Sequence, residues 1–172
     1  MEFRSGDHIV HSNYGVGSIV RLEDRQIAEN QMRQYYVLAF GRMTVWSPVQ
    51  AGGAAPLRLV TDAQDLDQYR ALLKGRPTPL DSDYKKRRLD LTAQLAHGSF
   101  QVVCEVVRDL TALGWHKRMN DIDTSLLKKV RANLWDEWAT STGQSLPDAI
   151  GEVNALLQMG EQTYQQDAVE QP

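Results

Sequence analysis

The sequence predicts an α+β protein, a small N-terminal antiparallel β-barrel followed by a compact all-helical C-terminal domain. Two observations carry that prediction. Through residue 60, apolar and β-branched residues come in short runs punctuated by glycine, asparagine and proline. From Asp62 onward the apolar residues recur at spacings of three and four, the period of an amphipathic helix. The domains are accordingly placed at residues 1–61 and 62–165, with an acidic, polar tail at 166–172.

Asp7–His11 is a first β-rich run, followed by a turn at Asn13-Tyr14-Gly15-Val16-Gly17. Ser18–Leu22, Tyr35–Phe40 and Met43–Trp46 read as the next strands, with Gly41-Arg42 as a hairpin connection and Pro48 closing the last. Beyond a Gly52-Gly53 loop, Leu57–Val60 alternates and reads as a closing strand. Five short antiparallel strands in so little chain fit a barrel of the SH3 or Tudor kind, because closing a small sheet hides its edges.

The helical part opens near Thr61 or Asp62 with Leu66, Tyr69, Leu72 and Leu73, and pauses at the Lys74–Pro79 linker. A second helix is expected from about Ser82 to Ala96. The third is capped by Ser99, carries Phe100, Val103, Val107 and Leu110 on one face, and is expected to stop at Gly114. A fourth, from about Asn120, aligns Ile122, Leu126, Val130, Leu134 and Trp138. The fifth follows Ser145-Leu146-Pro147-Asp148, where proline and aspartate suit a first turn, and is expected to end by Gly160, leaving Gln162–Pro172 frayed.

Composition narrows the function. Cys104 is the single cysteine of the 172 residues, which excludes an internal disulfide and a multi-cysteine zinc site. No apolar run is long enough to span a bilayer, and the N-terminus lacks a secretory apolar segment. A soluble, cytoplasmic protein without a membrane partner is expected. The net charge of −3 is uneven: residues 1–80 carry +1, residues 81–135 carry +3 and residues 136–172 carry −7.

Enzymatic chemistry has little support. His8, His11, His97 and His116 form no metal-ligand spacing, and Gly15-Val16-Gly17 lacks the strand-to-helix setting of a phosphate loop. A non-enzyme without metal or cofactor is expected. Nucleic-acid binding is better supported. Lys85, Lys86, Arg87 and Arg88 open the second helix, Lys117 and Arg118 follow Trp115 and His116, and Lys128, Lys129 and Arg131 lie on the fourth helix. A single charge run is usually a solvated face, but three clusters in one small domain point to a shared phosphate-facing surface with little base reading. Trp138 reads as core. Trp46 could face the barrel interior or a partner, and Trp115 could be a core anchor or an exposed contact.

Several motifs then match a known pattern in order and spacing. They are Phe3-Arg4-Ser5-Gly6-Asp7, Tyr14-Gly15-Val16-Gly17, Tyr35-Tyr36-Val37-Leu38 and Thr44-Val45-Trp46-Ser47-Pro48-Val49 in the first part. Leu95-Ala96-His97-Gly98, Glu105-Val106-Val107-Arg108-Asp109-Leu110, Asp121-Ile122-Asp123 and Leu126-Leu127 follow in the second. Together they resemble the CarD/CdnL family of bacterial RNA polymerase-binding transcription regulators along nearly the whole chain.

The resemblance implies a Tudor-like domain that binds the polymerase β subunit, similar to one in transcription-repair coupling factor. It also implies a helical domain on promoter DNA at the upstream edge of the bubble, stabilising the open complex through backbone contacts and an aromatic wedge in the minor groove. Arg25 matches a basic polymerase-facing position, and Trp46 stands where some members have an arginine. Tyr84 and Arg87 match an aromatic and a basic position at the start of the second helix. Thr111 or Leu113 falls where alignment on the neighbouring motifs puts the wedge, so Trp115, flanked by His116, Lys117 and Arg118, is taken as its substitute. A nucleoid-associated monomer is expected. The rival readings are a protein-interaction module that binds polymerase without wedging DNA, and a general nucleic-acid-binding protein.

Overall fold

The computed structural model describes residues 3–29, 31–49 and 57–169, and the chain divides into two units, Met1–Val60 and Thr61–Pro172. The first is an antiparallel sheet of β1 (His8–His11), β2 (Gly15–Ala28), β3 (Gln31–Phe40), β4 (Met43–Pro48) and β5 (Leu57–Leu59), in the spatial order β4-β3-β2-β1-β5. One face carries Ile9, Ile19, Tyr36, Leu38, Phe40 and Leu57, closed over by Phe3 and flanked by Val45 and Val49. Alternation in β3 sets that face, since Tyr36, Leu38 and Phe40 are two residues apart.

The sheet departs from the expected barrel and strand limits in three ways. Among the described residues it is open, with β4 and β5 as its edges, because the three residues of β5 all pair with β1. The Gly52-Gly53 loop lies outside the described residues. Next, β2 and β3 are far longer than Ser18–Leu22 and Tyr35–Phe40. From Asp24↔Gln34 to Ala28↔Gln31 they pair only with each other, as a two-stranded ribbon of exposed residues. Charged residues on both sides hide that ribbon from a hydrophobic pattern. Finally, Gly15 and Gly17 belong to β2 rather than to a turn. A Cβ on Gly17 would stand 2.5 Å from the Phe40 ring, so the missing side chain is what lets Phe40 lie on the strand.

His11 is buried beside this contact, 4.7 Å from the Tyr14 ring and 6.0 Å from Phe40, ring centroid to centroid. Its Nδ1 accepts the Asn13 N–H at 3.0 Å, which requires the neutral ring. Burial lowers its pKa below the ordinary value.

The second unit begins with a 3-10 turn, Ala63–Asp65, leading into α1 (Leu66–Lys74). It continues through α2 (Tyr84–Ala96), α3 (Phe100–His116), α4 (Asp121–Thr142) and α5 (Leu146–Val169). Side-chain caps fix the starts. Asp83 accepts the N–H groups of Lys85 and Lys86, Ser99 that of Val102, Asn120 that of Asp123, and Ser145 that of Asp148. The core gathers Leu66, Leu73, Leu91, Phe100, Leu110 and Trp138, with Val153, Leu156 and Leu157 from α5. Trp138 is fully buried and its Nε1 donates to Glu152 at 3.1 Å. Burial pushes the Glu152 carboxyl up, but the hydrogen bonds from Arg70, Trp138 and Gln144, with the Arg70 charge, outweigh it and hold the group below its ordinary value.

Two helices outrun the expected stops. Instead of stopping at Gly114, α3 runs on through His116 to its C-cap Lys117, whose backbone is extended. Gly160 likewise sits inside α5, because a Cβ there would be 3.1 Å from the Lys74 carbonyl oxygen and 3.3 Å from that of Leu73. Glycine is needed at that point for close packing of α1 on α5, not for termination. Residues 162–169 are therefore helical rather than frayed, including four set apart as tail.

The His11 environment predicts a pH response. The unfolded chain titrates this group near the ordinary value of about 6.5, the folded chain lower, so below about pH 6.5 the unfolded state takes up the proton first. Stability from this group is full above that value and is lost as pH falls through the folded pKa. Urea unfolding at pH 7.5 and 5.5 should show a smaller loss in His11→Gln than in the wild-type protein. Equal losses would mean that the imidazole does not contribute.

Candidate interaction surfaces

The first surface lies on the sheet face away from the core. Residues directly opposite in an antiparallel pair share a face, and the register puts Arg21, Val37 and Trp46 abreast. Val37 is buried yet absent from the core cluster, consistent with its lying on this other side. Trp46 is 39% exposed, which settles its orientation toward the outside. The two sequence-predicted residues meet here: the Arg25 guanidinium lies 4.7 Å from the Trp46 ring centroid. Glu23 holds Arg25 at 3.3 Å and Arg21 at 2.7 Å, so the arginines are steered by one carboxylate as well as by the ring.

The second surface is one end of the helical unit. The expected run Lys85–Arg88 does not act as a block. Arg87 points inward, in phase with Leu91 one turn on, and is 3% exposed. Its Nε donates to Asp123 Oδ1 at 3.2 Å, a second nitrogen bonds Asp123 Oδ2, and the remaining one donates to the carbonyls of Asp81 and Ser82. Asp123 is 1% exposed and also accepts from Asn120 Nδ2 at 2.8 Å. Arg87 is therefore removed from the phosphate-facing set. Removing one partner of such a buried pair strands the other charge in a poorly solvated place.

With Arg87 inward, α2 turns Tyr84 and Arg88, one turn apart, to the same flank, with Lys85 beside them. Tyr84 is 42% exposed and the Lys85 ammonium is 5.9 Å from its ring centroid. Lys86 is exposed but engaged with Asp81 at 2.7 Å, a hydrogen bond that raises the lysine pKa and lowers that of the aspartate. The Arg87–Asp123 pair brings this helix start beside the start of α4, which residues 117–120 join to the end of α3. His116, Lys117 and Arg118 are exposed there. Lys128 and Lys129 are exposed about 10 Å further along α4, at 1.5 Å per residue.

Trp115 does not stand free. It is half-buried on the last turn of α3, its ring centroid 5.5 Å from that of Tyr164 on α5. Tyr164 also meets His116, and the Arg76 guanidinium lies 6.0 Å from its ring centroid. Sequence reasoning missed Arg76, Asp123 and Tyr164. The spacing of Val153, Leu156, Gly160 and Tyr164 held the signal for the last, since the helical period continues past the glycine. Among the described residues no three metal-ligating side chains converge, and no helix is long and apolar enough to cross a membrane.

An antiparallel sheet unit with a cation–aromatic outer face, joined to a helical unit with basic residues around one end, defines a two-part protein whose parts have separate sequence relatives. Residues 3–58 match the family described as CarD-like/TRCF RID domain, and residues 69–154 match CarD, C-terminal domain. The chain belongs to the CarD family, and with it to transcription-related regulators that interact with RNA polymerase. It is 29% identical over 127 residues, 73% of this chain and 82% of the relative, to "Putative transcription factor YdeB" of Bacillus subtilis (strain 168).

The buried pair separates a structural from a phosphate-binding role for Arg87. Asp123→Ala should cost about 3–5 kcal/mol in urea unfolding, and Arg87→Ala a similar amount, as expected for breaking a buried pair. Wild-type stability in Arg87→Ala, with weaker DNA binding at low salt, would return Arg87 to the phosphate-facing set.

Proposed function

We propose that the protein is a non-enzymatic transcription regulator whose sheet unit binds the β subunit of RNA polymerase. Its helical unit meets promoter DNA at the upstream edge of the bubble and stabilises the open complex. It works as a soluble monomer in the cytoplasm, held on the nucleoid through polymerase. The observation that carries the reading is the exposed Tyr84 flanked by Lys85 and Arg88 in the helical unit, with the Arg25–Trp46 face belonging to the sheet unit.

An exposed aromatic between cations is suited to pry at a base step from the minor groove while the cations hold phosphates. Tyr84 suits that role better than Trp115, whose ring is partly covered by Tyr164. Tethering to polymerase raises the local concentration, so weak and salt-sensitive DNA contact suffices. The shift toward the open complex equals the difference in affinity for open and closed states, and no more.

Open-complex lifetime on a promoter with slow melting tests this. The wild-type protein should lengthen it, and Tyr84→Ala should remove about tenfold of that effect, a loss of ~1.4 kcal/mol, with polymerase binding unchanged. Arg25→Glu should weaken capture of a β-subunit fragment while leaving the thermal midpoint in place. No change in lifetime with wild-type protein would leave only a polymerase-binding module, and DNA binding without any β-subunit capture would leave a general nucleic-acid binder.

A further inference from the structure

Beyond the α2 flank, the end of the helical unit holds a second group of aromatic and cationic side chains. Tyr164, on the last turns of α5, is approached by Trp115 at 5.5 Å, by His116 at 6.0 Å and by the Arg76 guanidinium at 6.0 Å. The Trp115 and His116 rings are tilted by 46° and 50° to the Tyr164 ring, so neither lies flat on it. Trp115 and Tyr164 are half-buried, while Arg76, His116, Lys117 and Arg118 are exposed. Lys74, at the end of α1, is also exposed, and its carbonyl packs at Gly160, one turn before Tyr164. Glu161 and Asp167 flank Tyr164 on α5, two acids against the permanent cations Lys74, Arg76, Lys117 and Arg118.

A contact that served only to fasten α5 to α3 would be served best by complete burial. Here the rings stay partly open and cations surround them. An intact duplex offers phosphates to cations and, at a pried step, room for one free-standing ring such as Tyr84, while its other base faces are stacked and out of reach. An unpaired strand offers both base faces and phosphates, and interleaved aromatic and basic side chains are the arrangement that takes it.

We propose that Arg76, Trp115, His116 and Tyr164, with Lys117 and Arg118, form a binding site for an unpaired nucleic-acid strand. The rings take base faces, and the cations take the backbone. The proposal rests on the reading that the helical unit meets DNA, and adds a single-strand site to the same end that presents Tyr84. A duplex in the course of melting supplies both ligands at once.

The test uses the full chain, a labelled oligothymidylate and a labelled duplex of mixed sequence, with dissociation constants measured at one fixed salt concentration. Trp115→Ala and Arg76→Ala should each weaken oligothymidylate binding about tenfold, the loss of about one stacked base, and change duplex binding by less than about twofold. Trp115→Phe keeps a ring against Tyr164 and should retain most of the affinity, and Arg76→Ala alters an exposed linker residue rather than the core. Tyr84→Ala should show the opposite preference, weakening the duplex and sparing the single strand. Absent oligothymidylate binding, unchanged binding in both variants, or equal losses on the two probes would overturn the strand site. An unaffected duplex in Tyr84→Ala would instead overturn the α2 reading, with the oligothymidylate result still deciding this one.

Discussion

The buried pair of Arg87 and Asp123 is the constraint on which the helical surface depends. Four consecutive cations open α2, and a solvated helix could present any of them. Anchoring one to Asp123 fixes the phase of the helix, so that Tyr84, Lys85 and Arg88 share a side and Lys86 turns to Asp81. The same pair fixes α2 against α4, because Asp123 is bound to the N-cap Asn120 and Arg87 reaches the carbonyls of Asp81 and Ser82. A carboxylate and a guanidinium with nearly complete burial are costly to separate, which makes the arrangement rigid rather than merely favourable. The aromatic presented at the helix start is thereby held in one place relative to α4.

The sheet unit uses a different device for the same end. Arg25 is exposed and flexible by nature, but the Trp46 face on one side and Glu23 on the other restrict it. A pre-oriented cation loses less entropy when a partner binds. The Trp46 indole supports the neighbouring Arg25. In both units the candidate contact side chain is thus exposed but restrained by neighbours, a combination that hydrophobic patterning does not register.

Much of the fold was legible because its signals were periodic or local. The Ser99 cap, the start of α4 near Asn120, and the Leu126, Val130, Leu134 and Trp138 stripe all follow from rules that act within a few residues. The misreadings share a cause in packing between distant segments. Gly160 looked like a stop because a carbonyl of α1 pressing on α5 leaves no local trace. Gly17 looked like part of a turn because the Phe40 ring that needs the space is 23 residues beyond it, whereas Gly15, with φ of +76°, does lead out of the 12–14 turn into β2. The β2–β3 ribbon is exposed, and its large apolar residues, Ile27 and Met32, set no apolar rhythm. Of the candidate interaction surfaces, the residue types were legible, but the stacking of Arg25 on Trp46 was not, because it depends on the β2–β3–β4 register. Which cation of Lys85–Arg88 turns inward, and that Trp115 is covered by Tyr164, depend on α4 and α5 and could not be read from the run itself.

On the proposed reading, the start of α2 touches DNA when the protein is bound to polymerase at a melted promoter. A photo-crosslinking amino acid placed at position 84 tests it most directly, in complexes assembled from the full chain, polymerase and promoter DNA. Crosslinks confined to DNA at the upstream edge of the bubble, and lost when the promoter is left closed, are the predicted result. Crosslinks to polymerase alone, or to DNA with the same yield in open and closed complexes, would contradict it.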